Sequence, residues 1–362
     1  MARAAVLREV GRPLSVESIR IDRPGPREVL IRTAACGLCR SDLHFIDGAF
    51  PHPMPTVPGH EASGVVEAVG DGVVSVKPGD HVVTFLTVFC GACEYCVSGR
   101  PSLCTSPATR RPADASARLS LADGAPLAPF LNLSAFAEAM LVHENACVAI
   151  DPAMPLDRAA LLGCAVITGA GSVFNDSRLT AGESIAVIGA GGIGLAAINA
   201  ARIAGAGIIL ALDPAPEKRE LAMRMGATHA IDPGSDDIAR QVVKLTGGGV
   251  HYAIEAVGRP ATAELAWNIL RRGGTATILG MIAPGQSVSL PGPTFLTGRK
   301  IQGSLLGSSR FPIDLPRLVR MYLDGLLDLD TMVSERITLD QVNDGFDRLR
   351  RGDGARSVVV FA

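Results

Sequence analysis

The chain has almost no excess of either charge. Its 34 Lys and Arg stand against 36 Asp and Glu, a net of −2. That balance supplies no electrostatic footprint for nucleic acid or for an anionic membrane surface. A clean membrane span is also missing. The longest apolar stretch, Ser184 to Leu212, is interrupted by Asn199, Arg202 and six glycines, and reads better as strand, turn, helix and strand. The first residues reach Arg8 and Glu9 before a signal-peptide core could form. No repeat or low-complexity segment is found. With 48% apolar and 19% charged residues the composition is that of a folded globular chain rather than a disordered one. At 362 residues it is long enough for two domains. The expectation is a soluble cytoplasmic protein with no nucleic-acid or membrane partner.

Cysteine is plentiful by comparison, with eight residues. In a large cytosolic chain, clustered cysteines read as metal ligands rather than disulfides. Cys90, Cys93, Cys96 and Cys104 fall within fifteen residues, with Gly91 and Gly99 among the spacers. Four soft donors on a loop able to wrap an ion are what tetrahedral zinc requires, and a site coordinated wholly by protein is structural. Cys39, His60 and Cys164 are the remaining ligand types. Two cysteines and a histidine would leave an open fourth position, but spacing does not join them, and singly each reads as a buried core residue.

The hydrophobic pattern changes along the chain. Up to about residue 165, short alternating runs such as Val29–Thr33, Gly64–Val69 and His81–Phe85 lie between Gly and Pro turns, a β-rich pattern. Val173 to Leu179 completes a helix. Strands are then expected at Ser184–Gly189, Ile208–Leu212, Ala230–Ile231, Val250–Glu255 and Thr275–Leu279. Helices are expected between them at Ile193–Ala204, Glu217–Met225, Asp236–Leu245 and Pro260–Leu270. This alternation specifies a doubly wound parallel sheet. After Gly303 come helices at Pro312–Asp324 and Leu339–Gly352 and a strand at Ser357–Phe361. Ser106 to Ala128 reads as a long surface loop.

Gly189-Ala190-Gly191-Gly192-Ile193-Gly194 directly follows the apolar strand Ile185–Ile188. The first glycine allows a tight turn, the second lets the backbone approach a pyrophosphate, and the third lets helix pack on strand. The helix N-terminus then offers N–H groups to phosphate. The next strand ends at Asp213, 19 residues past Gly194, where a carboxylate takes a ribose 2′-hydroxyl. Asp213 would repel a 2′-phosphate, and Pro214-Ala215-Pro216 brings no arginine to hold one, so NAD is expected over NADP.

Taken in order, Cys39-Arg40-Ser41-Asp42, Gly59-His60-Glu61, the four-cysteine lobe, Leu162-Gly163-Cys164, the glycine turn and Asp213 resemble the zinc-containing alcohol dehydrogenases of the medium-chain dehydrogenase/reductase superfamily, on the liver-like branch. The resemblance runs from Pro26 to the last strand. It implies a GroES-like β-rich catalytic domain (1–165, completed by 305–362) interrupted by a Rossmann coenzyme domain (166–304). It implies two zinc ions per chain, with Cys39, His60 and Cys164 as the catalytic ligands. Asp42 and Glu61 would orient those ligands. Arg40 and Arg356 would contact the pyrophosphate, Lys218 would join Asp213 at the adenosine ribose, and Thr168 would back the nicotinamide. Ser41 and His44 would relay the proton, and histidine suits that end because it titrates near neutrality. Phe50, Leu86, Phe130, Leu131, Met281 and Leu305 would line the substrate pocket, with Thr109 near its mouth. The implied reaction is interconversion of a hydrophobic alcohol and its aldehyde or ketone by a homodimer.

Three alternatives stand beside this. Zinc-free quinone or enoyl reductases of the superfamily lack the metal ligands that are present here. A zinc-ribbon binding module would not explain the glycine turn. Glutathione-dependent formaldehyde dehydrogenases hold a thiol adduct with a carboxylate and an arginine. Phe50 and Ala108 stand in those places, although Arg110 and Arg111 lie close by.

Overall fold

A computed structural model describes residues 1–112, 115–234 and 237–361. The chain divides into two compact units. The first comprises Met1–Cys164, Arg310–Gly325 and Val333–Ala362, and the second Ala165–Ser309 and Leu326–Met332.

In the first unit, strand Glu28–Gly37 is the centre of the larger sheet. Val29, Ile31 and Thr33 turn inward and are buried, while Leu30 and Arg32 between them are half-buried and exposed, the period-two pattern of a half-buried strand. It pairs antiparallel with Ala62–Val69, Ala139–His143 and Arg356–Val360. His81–Thr84 and Cys147–Ala149 extend the sheet on one side, and Val333–Ile337 lies parallel to Arg356–Val360 on the other. A smaller sheet joins Ala2–Val6, Ser15–Ile21 and Leu119–Leu121.

The second unit is a six-stranded parallel sheet. Its spatial order is His229–Ile231, Ile208–Leu212, Ser184–Ile188, Val250–Glu255, Leu270–Ile278 and Lys300–Gly303, which in chain order reads 3-2-1-4-5-6, the dinucleotide-binding arrangement. Strand Ser184–Ile188 is buried along its whole length, as expected of a strand covered on both faces.

The structure corrects several boundaries. The chain leaves the second unit at Ser309 rather than at residue 304, and Leu326–Met332 packs back with it. The helix expected to end at Leu179 is continuous from Leu156 to Ser177. It carries widened π turns at Leu162–Val166 and Ser172–Ser177, and Arg178 ends it with a left-handed φ of 50°. Length and composition alone would let this helix cross a membrane, but 83% of its apolar window is buried inside the structure, as in a core helix. The helix expected from Asp236 is found from Ile238 to Thr246; Asp236 itself lies outside the described residues, as do Ala113 and Asp114 of the long loop.

Candidate active site

Short helix Arg40–Ile46 starts directly after Cys39. Asp42 sits in its first turn, where Oδ2 accepts the Cys39 backbone N–H at 3.2 Å, a favourable place for a carboxylate. The same carboxylate does two more things. Oδ1 accepts from the Gly59 N–H at 3.2 Å and from His60 Nδ1 at 2.8 Å. Asp42, His60 and Glu61 are all fully buried.

With Nδ1 committed to Asp42, His60 presents Nε2, which lies 3.2 Å from the Cys164 Sγ. Cys164 comes from the first π turn of the long helix, next to Gly163, where a Cβ would lie 2.1 Å from the Thr84 carbonyl oxygen. The ligand atoms of Cys39, His60 and Cys164 all lie within 4.8 Å of one another. Spacing could not join these residues, and the fold does. Two thiols and one imidazole, dry and converging, fit zinc with one open position.

The electrostatics suit a cation. The Cys164 hydrogen bond and the nearby Arg356 charge hold the Cys39 thiol well below its ordinary range. Burial opposes charge on His60, yet the Asp42 and Cys39 charges outweigh it and raise the imidazole. Burial pushes Asp42 up in turn.

Arg356 is buried, with Nη1 donating to the Leu38 carbonyl at 3.1 Å and Nε without a hydrogen-bond partner. Nη2 lies 3.5 Å from the Glu61 carboxylate and 3.8 Å from the Cys39 sulfur. It is a counter-charge behind the thiol cluster. Arg40 is exposed and its Nη2 donates to the Leu349 carbonyl.

Ser41 and His44 lie three residues apart on helix Arg40–Ile46, and so share a face. Burial lowers the His44 pKa, helped by Arg40. An aromatic cluster runs from here to the buried histidine. His44 packs edge-on to Phe50, Phe50 meets Phe45, and Phe45 and His52 pack edge-on to Phe130 at 5.1 and 5.2 Å. Phe130 in turn reaches the His60 ring at 6.5 Å. Phe45 and His52 escaped sequence reasoning, because only the fold stacks them. Leu86 is half-buried against the core, and Leu131 takes a left-handed φ of 46°. Thr109 is buried and donates to the Val88 carbonyl. Met281 and Leu305 belong to the second unit, where Leu305 is exposed.

The four-cysteine lobe is closed. Sulfur separations are 3.5 Å for Cys93–Cys96, 3.7 Å for Cys93–Cys104 and 4.0 Å for Cys90–Cys96. Zinc–sulfur bonds of about 2.3 Å in a tetrahedron put sulfurs about 3.8 Å apart, so the donor set fits. The Ala92 and Cys93 N–H groups point at the Cys90 sulfur and lower its pKa to about 6.

In the second unit, Gly189 takes a φ of 93°, a region open mainly to glycine. Gly194 packs so closely that a Cβ would lie 1.8 Å from the Gly189 carbonyl oxygen. A Cβ on Gly191 would meet nothing within 4 Å, so the backbone there stands open. Helix Gly192–Ile203 begins with no side chain capping its N–H groups, leaving them for an anion. Asp213 is buried and accepts from the Ala190 and Ala215 N–H groups at 2.8 and 3.0 Å. Lys218 is half-buried on helix Pro216–Met225, and Thr168 is buried on the long helix. Arg219, unnoticed in the sequence, binds the Asp213 and Pro214 carbonyls at 2.8 and 2.7 Å.

Residues 25–152 match the alcohol dehydrogenase GroES-like domain, and residues 192–322 match the zinc-binding dehydrogenase domain. The chain is 39% identical to an NDMA-dependent alcohol dehydrogenase of Amycolatopsis methanolica and 35% identical to an S-(hydroxymethyl)glutathione dehydrogenase of Paracoccus denitrificans, each over 99% of both chains. A benzyl alcohol dehydrogenase of Acinetobacter calcoaceticus superposes over 100% of this chain and 99% of its own, with TM-score 0.94 and 31% identity. A zinc-binding dehydrogenase of Sinorhizobium meliloti 1021 bound to NADP does so over the same shares, with TM-score 0.83 and 28% identity. With both domain types, the liganding triangle and the glycine turn in place, the chain belongs to the zinc-dependent alcohol dehydrogenases of the medium-chain dehydrogenase/reductase superfamily, oxidoreductases that use zinc and a nicotinamide nucleotide.

Proposed function

We propose that this dehydrogenase oxidises hydrophobic alcohols, medium-chain or aryl, reversibly to aldehydes or ketones with NAD. The observation that carries the reading is the buried Cys39–His60–Cys164 triangle, three donors where a tetrahedral ion takes four. Cys39, His60 and Cys164 would hold a zinc ion that supplies a Lewis acid for the alcohol oxygen, and a bound nicotinamide would supply the hydride acceptor. Cys39 and Cys164 supply thiolates. Asp42 takes the His60 Nδ1–H and so fixes the ring with Nε2 toward the sulfurs. Arg356 offsets the negative charge of the cluster. Ser41 would take the alcohol's proton at its hydroxyl oxygen as it gives up its own, and His44 would receive that proton, its lowered pKa keeping the ring neutral and able to accept.

NAD is preferred over NADP because Asp213, at the end of the second strand, would repel a ribose 2′-phosphate and Arg219 is spent on two carbonyls. A thiol-adduct substrate finds little support. Phe50 stands where a carboxylate would be needed, and Arg111 is engaged by Asp22 at 2.7 Å. Phe45, Phe50 and Phe130 instead favour an apolar or aryl group. Each methylene buried against such walls adds about 0.8 kcal/mol, or roughly fourfold in kcat/KM. A series of primary alcohols tests this: kcat/KM should climb from ethanol to hexanol, with benzyl alcohol also high. A flat or falling series overturns the substrate class.

A further inference from the structure

The second unit carries a cavity of about 360 Å³ that the proposed chemistry does not use. It is lined by the end of the long helix (Asp176, Ser177), by Glu183, His251 and Tyr252 at the starts of two strands, and by Arg271 to Thr275, with Lys300 and Gln302 on the outermost strand. These are the N-terminal ends of the parallel strands. The glycine turn follows Ile188 at the other end of the strand that Ser184 begins, about 13 Å away at 3.3 Å per residue. The cavity is therefore separate from the nucleotide site.

Its polar groups are unbalanced in two ways. Arg271, Arg272 and Lys300 have no carboxylate partner among the described residues. The Arg271 Nη1 instead lies 2.7 Å from His251 Nε2. The Ser184 N–H donates to His251 Nδ1 at 3.1 Å, with the Ser184 hydroxyl 2.8 Å from the same nitrogen, so donors approach the ring from both sides, and burial and Arg271 lower its pKa. Also lining the cavity, the Oδ2 of Asp176 and the hydroxyl of Ser177 are buried with no hydrogen-bond partner, and Ser177 is only 6% exposed. Buried polar atoms of this kind are rare and costly unless a ligand or water satisfies them. Glu183 does not fill the role, since it is taken up by the Thr180 N–H and the Tyr252 hydroxyl.

We propose that this cavity binds a small phosphorylated polyol. Its phosphate sits on Arg272, Lys300 and the free face of Arg271, where guanidinium and ammonium groups recognise it by charge-assisted hydrogen bonds. Its hydroxyls donate to Asp176 Oδ2 and exchange a hydrogen bond with Ser177. The volume lies within the range of small-molecule sites.

The test uses the zinc-loaded enzyme with saturating NAD, so that the nucleotide phosphate site is filled. Glycerol 3-phosphate and inorganic phosphate are titrated by calorimetry at constant ionic strength. Glycerol 3-phosphate should bind at least tenfold more tightly than phosphate. Arg272→Gln with Lys300→Gln should weaken both tenfold or more. Asp176→Asn should erase most of the difference between them while turnover of hexanol stays unchanged. Equal affinity for the two probes, or binding unaltered by the double substitution, overturns the proposal. The readout is independent of alcohol turnover, so its failure leaves the dehydrogenase reading intact.

Discussion

Replacing Asp42 by Asn tests the organisation of the metal triangle with little change of shape. Asp42 accepts three hydrogen bonds, from His60 Nδ1 at 2.8 Å and from the Cys39 and Gly59 N–H groups at 3.2 Å. All of this is fully buried. An amide has one accepting oxygen. If that oxygen keeps His60 and Gly59, the new NH2 confronts the Cys39 N–H, donor against donor. If it turns to serve Cys39, His60 meets a donor and is pushed toward the tautomer that would put its hydrogen on Nε2. Loss of a charged acceptor costs about 1.5–3 kcal/mol, and a stranded buried donor about 1–3 kcal/mol. Part of that cost falls on the metal-free fold too. Zinc affinity at the triangle should therefore drop by about 10- to 100-fold, roughly 1.4–2.7 kcal/mol. Competition with a chromophoric chelator measures it, and the four-cysteine lobe serves as internal control, since none of its ligands bonds to Asp42. The parent protein should release two zinc ions per chain at stringent chelator concentrations. The variant should give up one of them early and keep the other. An unchanged two-ion release curve in Asp42→Asn would refute the argument that Asp42 orients His60.

Three other outcomes are expected. Cys164→Ala should abolish turnover with little loss of Tm, whereas Cys96→Ala should lower Tm and cost one zinc, because a closed site contributes folding energy; metal analysis and calorimetric melting separate the two, and equal Tm losses would contradict the assignment. Asp213→Ala should weaken NAD and narrow its advantage over NADP in kcat/KM, and a parent enzyme using both cofactors equally would remove the basis for that assignment. Because burial lowers the His44 pKa, its neutral form should persist below the ordinary histidine value near 6.5, so the acid limb of kcat for alcohol oxidation should fall on the acid side of that value. His44→Gln should lose the limb and run slower above it, and a profile identical to the parent would dismiss His44 as a proton acceptor.

The two units differed in how much their residues disclosed. In the coenzyme unit the information is local: an unbroken apolar strand, a glycine turn and an acidic residue at the end of the next strand each act within a few residues. Strand Lys300–Gly303 was missed, because four residues with little alternation become a strand only by pairing with Thr275–Ile278. Val333–Ile337 was missed for the same reason, its partner being Arg356–Val359. Charge partnerships are less visible still. Nothing near Arg356 in sequence announces Glu61 or Cys39 as its neighbours. The helix end at Ser177 escaped because widened turns shift the register that periodicity assumes.

The spacing of the lobe's sulfurs also governs how such an enzyme would lose activity on the shelf. Cys93 and Cys96 stand 3.5 Å apart, and a disulfide needs about 2.05 Å, so a modest shift within this glycine-bearing loop would close the bond. While zinc occupies the lobe its thiolates are tied up. Once a chelator takes the ion, air oxidation competes with reloading, and an oxidised lobe has fewer than four donors to offer. Inactivation is then a ratchet with two teeth, chelation and oxygen, rather than an equilibrium. A sample stored with chelator and a reductant should recover on adding zinc, and one stored with chelator in air should recover only after reduction.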